Sequence, residues 1–154
     1  KIVSSLLRVY ADTSVFGGIF DDEFSRPSRV FFRQIQSGRF KLVTSALVTR
    51  ELSRAPQRVR EFHRENVRSA QRVRVTRSIL ELRDAYMEAG ILGPSSLADA
   101  LHVAVAAVSG CPILVSWNCK HIVHFQKIPR YNLISQKLGY AELAIHTPLE
   151  LIER

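Results

Sequence analysis

The spacing of apolar and polar positions changes several times along the chain, and those changes mark out its elements. Leu6-Leu7-Arg8-Val9-Tyr10-Ala11 is a short apolar run that ends at Asp12, and it predicts a strand. Gly17-Gly18 and Asp21-Asp22-Glu23 interrupt the pattern after it. Helical spacing then returns over 28–36, with Gly38 as its stop. Residues 40–44 read as a second strand, and Ser45 is placed to cap a helix that carries Glu51. A helix over 56–68 with Pro56 in its first turn comes next. A short strand at 73–76 and a helix over 78–89, stopped by Gly90, come after it.

The stretch from Gly93 to Ser116 is the most informative. Ser95 or Ser96 is placed to cap a helix over 97–109 that is apolar almost all the way round. At about 100° per residue, Leu97, Leu101, Ala104, Val105 and Val108 share one face, and Asp99 with His102 forms the only polar stripe. Gly110 ends the helix, and 112–116 is an apolar strand of the kind buried in a parallel sheet covered on both faces. The tail predicts a helix near Ile122, a short strand near 132–134 and a last segment over 148–152.

Strands alternating with helices predict an α/β fold, three layers with a central parallel sheet. Without repeats, low-complexity tracts or linker-like stretches, residues 1–154 read as a single domain. In such sheets ligands bind beyond the carboxyl ends of the strands. Asp12 ends the first strand, Glu51 comes after the second by about two helical turns, and Asn118 lies just beyond the last clear strand. Three separate pieces of chain therefore bring polar groups to one edge.

Composition narrows the class. With 154 residues and a hydrophobic fraction of 46%, the chain has the make-up of a globular domain and not of a disordered one. A domain of this size buries roughly 70% of its unfolded surface. No apolar stretch approaches the ~18 residues of a membrane span, and residues 1–10 lack the layout of a signal peptide. Cys111 and Cys119 fit neither a Cys-x-x-Cys motif nor a zinc knuckle, and they read as reduced thiols of a cytoplasmic protein in preference to a disulfide.

The net charge of +8 is unevenly spread. Between Arg50 and Arg77 stand nine arginines against the acids Glu51, Glu61 and Glu65. Arg50, Arg54 and Arg58, and then Arg60, Arg64, Arg68 and Arg72, recur four apart, which predicts stripes along a helix. Such a stripe is a solvated face, a phosphate-tracking surface or a contact for an acidic partner. Charge alone does not choose among these.

Clustered carboxylates raise each other's pKa, and a hard cation such as Mg²⁺ or Mn²⁺ resolves the conflict. Asp12, Glu51 and Asp99 are candidates for that role, and each also has a plainer reading. Asp12 before Thr13-Ser14 has the form of a helix cap. Glu51, on an inward stripe with Leu47, Val48 and Leu52, needs a partner that Arg50 or Arg54 is placed to supply. Asp99 stands three residues after Ser96, at capping-box spacing.

Taken together, the order and setting of these residues resemble the PIN-domain ribonucleases, through nearly the whole chain. Val9-Tyr10-Ala11-Asp12-Thr13-Ser14-Val15-Phe16 resembles the family's opening strand with its first metal-binding aspartate. Val43-Thr44-Ser45 through Thr49-Arg50-Glu51-Leu52 resembles its second strand and the helix bearing its glutamate. Leu97-Ala98-Asp99-Ala100-Leu101-His102-Val103-Ala104 is similar to the third acidic motif and is the strongest single match. Ile113-Leu114-Val115-Ser116-Trp117-Asn118-Cys119-Lys120-His121 resembles the closing motif, where many members carry an aspartate in place of Asn118. An amide there removes one negative charge while keeping its hydrogen-bonding capacity.

The resemblance implies a PIN-like fold and metal-dependent cleavage of RNA. It implies Asp12, Glu51 and Asp99 as ligands of Mg²⁺ or Mn²⁺, and Asn118 as a residue that orients water. Ser14, Lys120, Arg50 and Arg54 are weaker candidates for substrate contact. Stand-alone members of this length resemble the toxins of VapBC-type toxin–antitoxin pairs, which implies a small antitoxin partner and a homodimer. His102 reads as a helix residue bonded to Asp99 or a neighbour, and Trp117 as a core or lid residue or a platform for a base. His63, His124 and His146 lack metal-ligand spacing and take no role. Two alternatives stay open. One is a non-catalytic member that binds RNA or a partner protein. The other is a phosphotransferase using Asp12, which would want a second aspartate where Ser14 stands.

Overall fold

A computed structural model of the chain describes residues 6–152. The expectation about a signal-peptide layout lies partly outside these residues. Five strands form one sheet: β1 (Leu7–Ala11), β2 (Phe40–Ser45), β3 (Gln71–Val73), β4 (Ile113–Val115) and β5 (Ala144–His146). Their order is β3-β2-β1-β4-β5, and every pairing is parallel. The helices are α1 (Thr13–Gly17), α2 (Ser25–Gln36), α3 (Ala46–Glu51), α4 (Gln57–Asn66), α5 (Arg77–Glu88), α6 (Leu97–Val108), α7 (Ile128–Lys137) and α8 (Pro148–Ile152). They cover the sheet in the three-layer α/β/α arrangement that the alternation predicts, with α5 packed on α6 and α7, and α2 on α8.

Strand β1 runs through the middle of the sheet, and its last three residues are fully buried. The order reverses there, since the chain builds β2 and β3 on one side and then crosses to β4 on the other. Such a reversal opens a crevice beyond the strand ends. Ala11 pairs with Val115, and the Asp12 N–H donates to the Val115 carbonyl at 3.1 Å, so the segments after β1 and β4 leave the sheet side by side. Helix α6 is buried from Ala100 to Ala107, on all sides, while Leu97 at its start is exposed. A helix enclosed between neighbours fits the expectation that it is apolar almost all the way round, and its small alanines leave room for close packing.

Several boundaries differ from those read in the sequence. Helix α2 starts at Ser25, three residues early, because the Asp21 carbonyl accepts the Ser25 N–H at 2.7 Å and the Ser25 hydroxyl reaches the Ile19 carbonyl. Strand β3 lies at Gln71–Val73, not 73–76, because pairing of Val43 with Gln71 and Ser45 with Val73 sets its register. Helix α4 stops at Asn66, so the arginine stripe does not run along one helix: Arg60 and Arg64 lie on α4, Arg72 on β3.

The tail departs furthest. Residues 132–134 belong to α7, not to a strand, and around Ile122 the chain forms a turn, not a helix. Buried polar groups hide the helical period there. The Asn132 amide donates to the Leu143 carbonyl at 3.1 Å and its oxygen accepts the Leu143 N–H at 2.8 Å, while Ser135 bonds the Tyr86 hydroxyl at 2.6 Å. Cys111 is buried, with its thiol pushed up to about 11 by desolvation, and Cys119 is exposed; both are free. No helix among the described residues is long and apolar enough to cross a membrane.

Candidate active site

Asp12 is the first residue past the central strand and is 4% exposed. It is the N-cap of α1, as its helix-cap reading expects, and Oδ1 accepts the Ser14 N–H at 3.1 Å. Capping is only part of its role. The Ser14 hydroxyl donates to the same oxygen at 2.6 Å, and the Ser116 hydroxyl, from the end of β4, donates to Oδ2 at 2.6 Å. No lysine, arginine or histidine forms an ion pair with Asp12 among the described residues. Burial pushes this carboxyl above its ordinary range, against the opposing charge of His102 and the three donors.

Glu51 is the last residue of α3 and is partly exposed. The arginine partners expected for it, Arg50 and Arg54, are exposed and make no ion pair with it. Its partner is His102, whose Nε2 donates to Oε1 at 2.7 Å, and the Thr13 hydroxyl donates to the same oxygen. Burial works to raise the Glu51 carboxyl, but the hydrogen bond and charge of His102 outweigh it and hold the group below its ordinary value. Its Oε2 stays outside these contacts.

His102 is 3% exposed, and of the partners expected for it, Asp99 or a neighbour, it bonds the neighbours Glu51 and Tyr10. With Nε2–H committed to a carboxylate, the ring places Nδ1 2.8 Å from the Tyr10 hydroxyl. That hydroxyl lies 2.8 Å from Ser45 Oγ. A buried chain Ser45–Tyr10–His102–Glu51 thus ties the ends of β2 and β1 to α6 and α3. Ser45 is spent in this chain and makes no side-chain cap on α3, contrary to the sequence expectation.

Asp99 lies in the first turn of α6, half-buried at the carboxyl edge of the sheet. Ser96 caps that helix by position only, so the expected capping box does not form. The Asp99 carboxylate takes part in no hydrogen bond or ion pair among the described residues. Asn118 uses Oδ1 to accept the His121 N–H at 2.9 Å and its backbone N–H to donate to Ser116 Oγ at 2.9 Å. It anchors the turn after β4, and only its Nδ2 remains to meet water. Lys120 is exposed.

A divalent cation fits part of this donor set. Asp12 is a buried carboxylate with donors but no ion pair, and Asp99 is a second carboxylate without partners; one or two carboxylates completed by water suit Mg²⁺. Glu51 offers Oε2. Yet no three His, Cys, Asp or Glu side chains among the described residues stand close enough to share one ion. The expected set of three acids therefore shares an edge without converging on a point.

Sequence reading gave no role to Ser116, Thr13 or Tyr10, though a hydroxyl residue directly after an apolar strand is a signal that could have flagged Ser116. Trp117 is half-buried and anchored on one ring face. It stacks on Phe24 with ring centroids 4.3 Å apart, and Nε1 donates to Ser28 Oγ at 2.8 Å. Its backbone N–H donates to Ser14 Oγ at 2.9 Å, next to Asp12. A Cβ at Gly18 would stand 2.9 Å from both Ser28 Oγ and Trp117 Nε1. Gly18→Ala should therefore destabilise the protein by about 1–3 kcal/mol through overpacking. Displacement of the only tryptophan would appear as a shift in fluorescence maximum alongside a lower Tm; an unchanged spectrum and Tm would contradict this packing.

Comparison with known proteins agrees with this architecture. The PIN domain family profile matches residues 9–118. A search of curated proteins found no match in sequence. Among solved structures, the chain is similar to VapBC2 from Rickettsia felis bound to a DNA fragment from their promoter, with TM-score 0.59 and 15% identity, covering 91% of this chain and 98% of that one. It is also similar to Mycobacterium tuberculosis VapC20, a sarcin–ricin loop cleaving toxin, with TM-score 0.51 and 16% identity, covering 88% and 98%. At these identities the likeness is one of fold. The family match runs from the buried half of β1 to Asn118, most of the chain and every acid considered above, and the chain belongs to the PIN domain family.

Proposed function

We propose that this protein is an endoribonuclease dependent on Mg²⁺ or Mn²⁺. Asp12 carries the reading: a desolvated carboxylate without an ion pair, at the reversal point of a parallel sheet, costs stability and persists where a cation makes use of it. Asp12, Asp99 and Glu51 through Oε2 are the ligands in this reading. Mutual repulsion keeps such carboxylates apart without a cation. A bound divalent ion supplies an activated water and stabilises charge on a phosphodiester. Ser14 and Ser116 orient Asp12, His102 and Thr13 orient Glu51, and Asn118 holds the turn over the site while offering Nδ2 to water. Arg50, Arg54 and Lys120, exposed nearby in sequence, offset the charge that repels an RNA backbone.

The same reading extends to a cytoplasmic toxin held by a small antitoxin and acting as a homodimer, supported by a fold shared with VapBC2 and VapC20. Cleavage of a mixed, structured RNA with Mn²⁺, Mg²⁺ or EDTA, beside Asp99→Asn, tests it. Metal-dependent cutting should fall by at least about a hundredfold in the variant, near 3 kcal/mol; cutting at the wild-type rate would reject the assignment. A second reading, a PIN-fold module that binds without cleaving, rests on Asn118, an amide already engaged by His121. Calorimetric titration with Mn²⁺ separates the two, because a module without the metal site releases no binding heat.

A further inference from the structure

Arginines scattered along the sequence converge in space. Arg60 and Arg64 on α4 and Arg72 on β3 line one cavity of about 390 Å³, together with His63, Thr49 and Ser53. None of the three guanidinium groups makes a side-chain hydrogen bond or ion pair among the described residues, although Glu61 and Glu65 share α4 with two of them. Like charges around a shared hollow repel, and here no carboxylate relieves them. His63 adds a second, independent sign. It is 7% exposed, it lines the same cavity, and its buried Nε2 has no hydrogen-bond partner. A buried polar group left unpaired lowers stability. Burial, with Arg72 and Arg64 nearby, holds the ring below its usual pKa, so it stays neutral with one N–H to donate.

Three unneutralised cations and the Thr49 hydroxyl around one hollow match a tetrahedral oxyanion, while Ser53 spends its hydroxyl proton on the Arg50 carbonyl and the buried His63 ring packs in the wall. The cavity adjoins a second one that shares two of its lining residues. Thr49 and Arg72 line a neighbouring cavity of about 600 Å³ with Arg50, Arg74 and Ser45, and Ser45 belongs to the chain that ends on Glu51.

We propose that the Arg60–Arg64–Arg72–His63 cavity is a phosphate-binding pocket that holds a backbone phosphate of an RNA strand laid across the β2–β3 edge toward the carboxylates. The inference rests on the reading of the protein as one that acts on RNA, but not on catalysis. It names a site for a phosphate that is not being cut, and it gives Arg60, Arg64 and Arg72 of the arginine stripe one common role.

Binding of a fluorescent single-stranded RNA, measured by anisotropy in EDTA so that cleavage plays no part, tests it over a range of salt. Arg60→Gln/Arg64→Gln should weaken binding about tenfold, and Arg72→Gln alone should do so by a smaller factor. Each lost phosphate contact should lower the slope of log K against log salt by about 0.7. Arg26→Gln/Arg33→Gln, an equal charge loss on α2 outside the cavity, should change affinity less than threefold. Inorganic phosphate at constant ionic strength should shift the His63 ring signals in NMR of the wild type and compete with RNA. Circular dichroism of each variant confirms that it is folded.

Pocket variants that bind RNA no more weakly than the α2 control overturn the proposal. If they instead lose affinity for polyglutamate alone, the pocket is an acidic-peptide site and the proposal also fails. A phosphate shift at His63 without any loss of RNA affinity assigns the pocket to free phosphate and rejects the RNA strand. RNA that binds through the pocket but is never cut under Mn²⁺ keeps this inference and removes the nuclease reading.

Discussion

Asp12→Asn should lower metal-dependent cleavage by about a thousandfold, about 4 kcal/mol of transition-state stabilisation, and yet melt a few degrees above the wild type in EDTA. Both effects come from one observation. The carboxylate is buried, receives three hydrogen bonds, and still has its pKa raised, so desolvation outweighs the donors around it. Asparagine keeps an oxygen for Ser14 and removes the charge. Relief of about 1–2 kcal/mol raises Tm by roughly 2–8 °C in a domain of this size.

The pH dependence carries a definite sign. A carboxyl whose folded pKa is raised binds its proton more tightly in the folded protein than in the unfolded chain. Its ionisation therefore erodes stability as pH rises from the ordinary carboxylate value through the raised folded one. The advantage of Asp12→Asn should grow as pH rises above the ordinary carboxylate range and should vanish in acid, where the wild-type group is protonated. Thermal melts of both proteins across that range check it. A variant that is inactive and also less stable at neutral pH would mean that Asp12 is structural first.

His102→Ala should cost about 3 kcal/mol, a fall in Tm of roughly 6–12 °C. The ring is buried, and removing it leaves a void and deprives both Tyr10 and Glu51 of a partner. His102 is a positioning residue here, so stability alone does not test it. Glu51 is held below its ordinary pKa chiefly by His102 against the effect of burial. Without the ring its pKa rises, and the acid limb of the rate–pH profile should move to higher pH. His102→Gln, which can still donate to Oε1, should recover part of the rate. A variant that loses stability while its acid limb stays in place would show that His102 fills space and does not tune Glu51.

These two variants pull stability in opposite directions around one site. Asp12 weakens the fold for the sake of a buried charge, and the His102 chain helps hold the frame that keeps this charge in place. Proteins accept such strain locally when the surrounding structure supports it.

Much of the architecture was legible in the sequence because it comes from local rules. The apolar runs that became β1, β2 and β4 needed only their own residues to be recognised, and Gly38, Gly90 and Gly110 stop their helices with positive φ. Asp12, Glu51 and Asp99 stood out because their order and setting resemble the PIN-domain motifs, whereas position after strands pointed to Asp12, Glu51 and Asn118 at one edge of a parallel sheet. The misread tail shows where local rules fail. Asn132 and Ser135 look like surface residues until Leu143 and Tyr86 are known to meet them.

The sequence by itself determined the alternation of strands and helices, the family to which the chain belongs and the acids worth weighing. Only the tertiary structure decided what those acids touch. Backbone periodicity depends on neighbours a few positions away, so it is written in short windows. Hydrogen bonds such as Ser116 to Asp12, 104 residues apart, or His102 to Glu51, 51 apart, form only when the sheet has closed. The arginines obey the same logic: a charge stripe is a local pattern, but whether it faces water or gathers around a cavity depends on where α4 ends and β3 pairs.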